Sequence, residues 1–240
     1  EEHLINQEGR LLRRYRDGDA KFPAYLSDYA QLGLACLDIY AWNYEPQYIL
    51  KAHHWAHEIN RLFLNHDGAY YETGFDAEEV LVRKADGHDG VEPSGNTSTA
   101  LLFLKLASFG MGSRLLSDAE RILHSFSPHL HQAGVNFSAM LSALIWARKG
   151  GIEVVVSGDE SKSETKEVLQ WLRQAFLPEV VVAFIPSDDS DPVSQQIPIA
   201  AGRASSDERL LIHVCQGQLC HAPVCDLPSL KTLITQILIN

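Results

Sequence analysis

GGIEVVVSGDESKSETKEVLQWLRQAFLPEVVVAFI, residues 150–185, decides how the chain is to be read. After Gly150-Gly151, an apolar run from Ile152 to Val156 gives way to an amphipathic stretch from about Ser161 to Phe176 and then a second apolar run, Val180 to Ile185. Short apolar runs bounded by turn residues, with a helical period between them, read as strand, helix, strand. Such a unit joins two parallel strands by a right-handed crossover. A third strand is expected at Arg209 to Val214 and a terminal helix at about Pro228 to Leu238. The stretch from Pro186 to Asp207, rich in Ser, Asp and Pro, reads as a mobile loop.

Upstream of Gly150 the period is helical. Tyr29, Leu32, Ala35, Leu37, Ile39 and Tyr40 recur along a helix from Asp28 to about Asn43, with Ser27 or Asp28 available to cap it. Pro46 suits the first turn of a second helix whose apolar stripe runs to about Leu64. Between Asp67 and Val82 the Asp67-Gly68 turn, Tyr70, Tyr71, Val80 and Val82 predict a short hairpin or extended excursion. Helical spacing resumes at Asn96 to Ala107, Ser117 to Leu130 and Asn136 to Arg148. The expected organisation is paired helices over 1–150 and a small α/β subdomain over 151–240.

The 240 residues, 45% hydrophobic and 21% charged, can bury a full core. No apolar run approaches the roughly 18 residues of a membrane span, and Glu1-Glu2-His3 lacks the apolar core of a signal peptide. A soluble, cytoplasmic protein is therefore expected, and the start without Met reads as a processed product or a fragment. A formal net charge of −11 argues against nucleic acid and anionic membranes as partners. Arg10, Arg13, Arg14, Arg16 and Lys21, interleaved with Asp17 and Asp19, form a local exception. That cluster suits either an anionic substrate group or a solvated turn with local ion pairs.

The densest polar segment is DGHDGVEPSGN, Asp86 to Asn96. Its three glycines permit turns that other residues resist, and Ser94 or Asn96 can cap the helix that follows. Capping leaves Asp86, His88, Asp89 and Glu92 unexplained, so these four are the candidate catalytic groups. Paired carboxylates with separated pKa values would suit glycoside chemistry, with Asp28 also available, and His88 would suit an epimerase or isomerase. His53 and His57 lie one helical turn apart, but His54 stands where a zinc-binding HExxH helix carries Glu and no third ligand is indicated. Cys36 falls among apolar residues as a core thiol. Cys215, Cys220 and Cys225 follow neither CxxC nor zinc-ribbon spacing, which leaves open a metal site, a Cys215–Cys220 disulfide, a redox-active thiol or free thiols. No cofactor is indicated.

Three stretches, GRLLRRYRDGDAKFPAYLSDYA (Gly9 to Ala30), DGHDGVEPSGNTSTALLFLKLA (Asp86 to Ala107) and HVCQGQLCHAPVCD (His213 to Asp226), together resemble the C-terminal part of the YyaL and spermatogenesis-associated thioredoxin-domain-containing family. The resemblance implies a thioredoxin-like domain followed by an α/α toroid of the six-hairpin glycosidase type. This chain has no CxxC and about half the helices of a closed toroid, so the first domain and first hairpins would be absent. The implied fold class is mainly α, a partial toroid followed by a small α/β subdomain. By the same analogy Arg13, Arg16, Asp17, Tyr25, Asp28, Tyr29, Ser94 and Asn96 would join Asp86, His88, Asp89 and Glu92 at the mouth of a substrate cavity. The implied function is a carbohydrate-active or carbohydrate-binding protein taking a small sugar ligand, an epimerase, isomerase or hydrolase. The alternative is a non-enzymatic recognition or scaffold module working beside a thioredoxin-like redox domain. Exposed apolar helix faces would favour self-association or contact with the missing N-terminal part.

Overall fold

A computed structural model describes residues 3–78, 80–187, 196–205, 209–217 and 219–239. It begins with a feature hidden in the basic cluster: β1 (Leu12–Arg16) and β2 (Asp19–Pro23) pair as an antiparallel hairpin. Asp17 and Gly18 both hold positive φ at the tip, the geometry that lets a two-residue turn match strand twist. Three of five side chains in β1 and two of five in β2 are charged and both strands are largely exposed, so no buried apolar face announces them.

The helices follow as α1 (Leu26–Asn43), α2 (Gln47–Phe63), α3 (Gly95–Ser108), α4 (Ser113–Ala133) and α5 (Ser138–Lys149). The Asp28 carboxylate accepts the Tyr25 N–H at 2.8 Å and so closes the first turn of α1. Helix α3 is buried on nearly every side, down to Asn96, Thr97, Ser98 and Thr99 in its first turn. It packs against α1, α2, α4 and α5, which encloses even its polar first turn. The hairpin expected at 67–82 is not formed. One antiparallel bridge joins Leu64 to Tyr70, and the rest is irregular because Tyr70 turns into the core instead of a strand.

Beyond α5 come β3 (Ile152–Gly158), α6 (Ser163–Gln174), β4 (Val180–Pro186), β5 (Leu211–Gln216), β6 (Leu219–Cys220) and α7 (Leu227–Ile239). The sheet order is β4-β3-β5-β6. β3 and β4 are parallel, as expected for a pair joined through a helix, while β5 returns antiparallel to β3. Of the loop predicted at 186–207, residues 188–195 and 206–207 fall outside the described residues. The described piece, 196–205, is not loose: Ile197 and Ala200 are buried, and Ser205 N donates to Ser157 Oγ on β3.

With 51% helix, 17% strand and two sheets, the chain is mixed α and β, which corrects the mainly α, partial-toroid expectation. The strands arise where helical reasoning does not reach, in the charged hairpin and in the β-branched runs after Gly151. One apolar core runs through helices and sheet alike. At their junction Tyr40 of α1 accepts the Phe184 N–H at 3.3 Å, satisfying an outward amide of the edge strand β4. Tyr40→Phe strands that buried donor. A loss of about 1–3 kcal/mol is expected in urea denaturation, and an undiminished midpoint would show that the hydroxyl does not matter.

Candidate functional site

Asn96 sets the geometry around the N-terminus of α3. Fully buried, it accepts the Tyr70 N–H at 2.8 Å and donates to the carbonyls of Tyr70 and Asp86, each at 2.9 Å. Ser94, the residue before α3, accepts the Thr97 N–H at 3.1 Å. Gly87 lies where an added Cβ would stand 2.6 Å from the Phe126 ring, so the backbone passes α4 only because it bears no side chain there. These contacts hold residues 70–72, 86–87 and 94–96 side by side.

Within this frame lies a carboxylate that sequence reasoning missed. Glu72 packs against Gly95, where a Cβ would meet both carboxylate oxygens at 3.2 Å, and its Oε1 is buried without a partner among the described residues. Burial, reinforced by the charge of Asp86, raises its pKa to about 7; Lys84 and the Asp86 N–H pull the other way. Asp86 behaves oppositely. Burial alone would push it up, but Lys84 Nζ and the His88 N–H, the latter at 2.9 Å, hold its carboxyl below the usual value. Two neighbouring acids thus stand in different protonation states near neutrality. The available signal was a single acid directly after two aromatic residues, Tyr70-Tyr71-Glu72.

The β-hairpin supplies the other wall. Arg13 lies 3.7 Å from the Asp28 carboxylate and 4.4 Å above the Tyr25 ring, and Asp28 is among the charges acting on Glu72. Arg13 and Tyr25 thus join the surroundings of Glu72 through Asp28, beside Asp86 and the Ser94–Asn96 turn that leads into α3. Arg16 and Asp17 do not: they pair with each other at 3.2 Å on the exposed hairpin tip. Tyr29 is buried, its hydroxyl held by Arg10 Nη1 at 2.7 Å and Leu11 N at 2.9 Å. Arg10 itself leaves the basic cluster for the interior, where it pairs with Asp76 at 2.9 Å.

Asp89 is occupied by backbone. Its Oδ1 accepts the Ser94 N–H at 3.0 Å, and its Oδ2 accepts the N–H groups of Ala139 and Met140 at 2.9 and 3.1 Å, tying the segment to the first turn of α5. His88 is exposed, its ring 6.1 Å from that of Phe137, and Glu92 is exposed as well. Elsewhere, Cys215 and Cys220 form a disulfide, Cys225 is an exposed thiol and Cys36 is buried in α1. His53 and His57 meet edge to face at 4.5 Å, and among the described residues no group of three or more His, Cys, Asp or Glu is placed to hold a metal.

The fold and site define a mixed α and β protein with an acid pair seated at a buried helix N-terminus. None of its described helices is long and apolar enough to cross a membrane. No family model matches the chain. It is 26% identical to spermatogenesis-associated protein 20 of mouse over 217 residues and to that of human over 215, in each case 88% of this chain and 27% of the relative. An uncharacterised protein of Caenorhabditis elegans is 25% identical over 219 residues, 91% of the chain and 30% of that protein. This similarity supports membership of the family of spermatogenesis-associated protein 20. The chain spans about a quarter of the length of these relatives.

Two predictions follow from this geometry. A carboxyl with a raised folded-state pKa binds its proton more tightly folded than unfolded, so its contribution is present below the unfolded value and lost as pH rises through the folded one. Stability should fall by on the order of 2–3 kcal/mol between about pH 4.5 and 7 through Glu72, and Glu72→Gln should flatten that slope in denaturation curves. Asn96→Ala leaves three buried backbone groups without partners. It should lower unfolding free energy by about 3 kcal/mol or more, an effect absent if water replaces the amide.

Proposed function

We propose that the face formed by Glu72, Asp86, Asp28, Arg13 and Tyr25 is an acid–base site for a carbohydrate. The observation that supports this best is the Glu72 carboxylate, half-buried against Gly95 with a partnerless oxygen, beside an Asp86 that stays ionised. Carboxyl groups whose environments separate their protonation states supply the acid and the base of glycosyl chemistry. Glu72 holds a proton near neutrality and delivers it to a leaving or ring oxygen. Asp86 accepts a proton from water or a sugar hydroxyl, or stabilises positive charge developing at the anomeric carbon. Arg13 and Asp28 offer a donor and an acceptor to hydroxyls, and the partly exposed Tyr25 ring offers an apolar face. The reaction is hydrolysis, epimerisation or isomerisation of a small sugar or sugar derivative.

A panel of sugars and sugar phosphates should contain a compound that raises the melting temperature. At about 100 times its dissociation constant the gain is about 2.7 kcal/mol. Turnover of that compound should fall as pH rises through about 7, because Glu72 must be protonated, and fall again in acid as Asp86 is neutralised. Glu72→Gln and Asp86→Asn should each cost about 100-fold or more in kcat. A panel without a single shift, or turnover indifferent to both substitutions, would sink the proposal.

A further inference from the structure

The Cys215–Cys220 disulfide lies away from the acid pair, at the edge of the four-stranded sheet. Cys215 of β5 and Cys220 of β6 stand directly opposite each other in register. Cys215 is 1% exposed, whereas Cys220 is open to solvent. The described segment 196–205 crosses this face of the sheet and sets Arg203 over the bond, its Nη2 3.3 Å from the Cys215 sulfur and 3.7 Å from that of Cys220.

Arg203 is poorly matched to the oxidised state. Its Nη1 is buried with no hydrogen-bond partner among the described residues. Glu153, opposite Cys215 on β3, is pushed by burial toward its neutral form, the charge of Arg203 opposing. His213, two residues from Cys215 on the same face, is held below the usual histidine value by burial and by Arg203, and its Nε2 also lacks a partner among the described residues. The half-buried guanidinium faces a neutral disulfide at 3.3 Å, and a thiolate formed there on reduction would give it a directly opposed negative charge. Cys225 is not that thiol's resolving partner. The Ile212–Val224 bridge aligns it with Leu211, four residues or about 13 Å along the strand from Cys215.

We infer that Cys215–Cys220 is a reversible dithiol–disulfide couple, reduced through the exposed Cys220 sulfur by a dithiol partner and poised by Arg203. A partner thiolate attacks Cys220 Sγ, the Sγ–Sγ bond breaks, and its electron pair leaves on Cys215 Sγ as a thiolate facing Arg203. The partner's second thiolate then attacks its own sulfur in the mixed disulfide and releases the Cys220 thiolate. The partner ends as a disulfide, having given up two electrons, and the two released thiolates take up protons according to pH. Stabilising the departing thiolate speeds the first step and favours the reduced state. Arg203 is a positioning residue, and the two cysteines undergo the chemistry.

The test treats the oxidised 240-residue chain with dithiothreitol, traps thiols by alkylation at intervals and maps them, with Cys36 and Cys225 as references. Cys215 and Cys220 should become labelled together without loss of the circular dichroism spectrum, and oxidised glutathione should restore that pair selectively. Arg203→Gln should slow reduction about five- to tenfold, with Arg203→Lys close to wild type. In the reduced wild type the pair should alkylate half-maximally below the usual thiol value of about 8.5, an outcome readable even if the Gln variant fails to fold. Reduction only after unfolding, equal rates in wild type and Arg203→Gln, or an ordinary alkylation profile would each overturn the inference.

Discussion

The buried amide of Asn96 is the constraint on which the site depends. An amide in the first turn of an enclosed helix must find partners within the protein, because water cannot reach it. Asn96 finds them on two segments distant in sequence, at Tyr70 and at Asp86. That choice brings Glu72, two residues after one anchor, beside Asp86, which is the other. Neither acid would meet its neighbour through any regular strand or helix. The separated protonation states are therefore a by-product of satisfying one side chain.

Much of the helical framework was legible. The 3.6-residue period located all five helices before Gly150, with ends shifted by a few residues, and the apolar runs after it located β3 and β4. The β1–β2 hairpin was not, because LRRYR and DAKFP present no apolar face; only Asp17-Gly18 marked a turn. Without it, residues 1–150 read as paired helices with one short hairpin at 67–82, a place where Tyr70 instead enters the core. Within the site, sequence singled out Asp86, Ser94 and Asn96 but could not tell an acid beside a buried carboxyl from one whose oxygens are both taken up by backbone. Asp89 looks equivalent to Asp86 on paper, yet its two oxygens are consumed by three amides. Glu72 escaped notice because burial, not spacing, makes it unusual.

The sheet is joined to its surroundings by side chains rather than by further strands. Tyr40 meets the outer amide of β4, and Arg203 reaches the sulfurs at the opposite edge. Both are long residues with a polar tip, able to lie along apolar surface and still deliver a hydrogen bond. The chain thus combines a helical unit bearing paired acids with a sheet bearing a sulfur pair. The two chemistries sit on different elements and share no residue.

The grip of Asp89 on both α3 and α5 bears on recognition as well as on folding. A loop of three glycines would ordinarily sample many conformations and lose that freedom when a ligand arrives. Here the ordering is completed as the helices assemble, with the segment fastened at Asp86, Asp89 and Asn96. On the proposed reading, a ligand would bind with little entropic penalty from this wall. Selectivity would come from a rigid mould, and a compound of the wrong shape would be refused instead of accommodated.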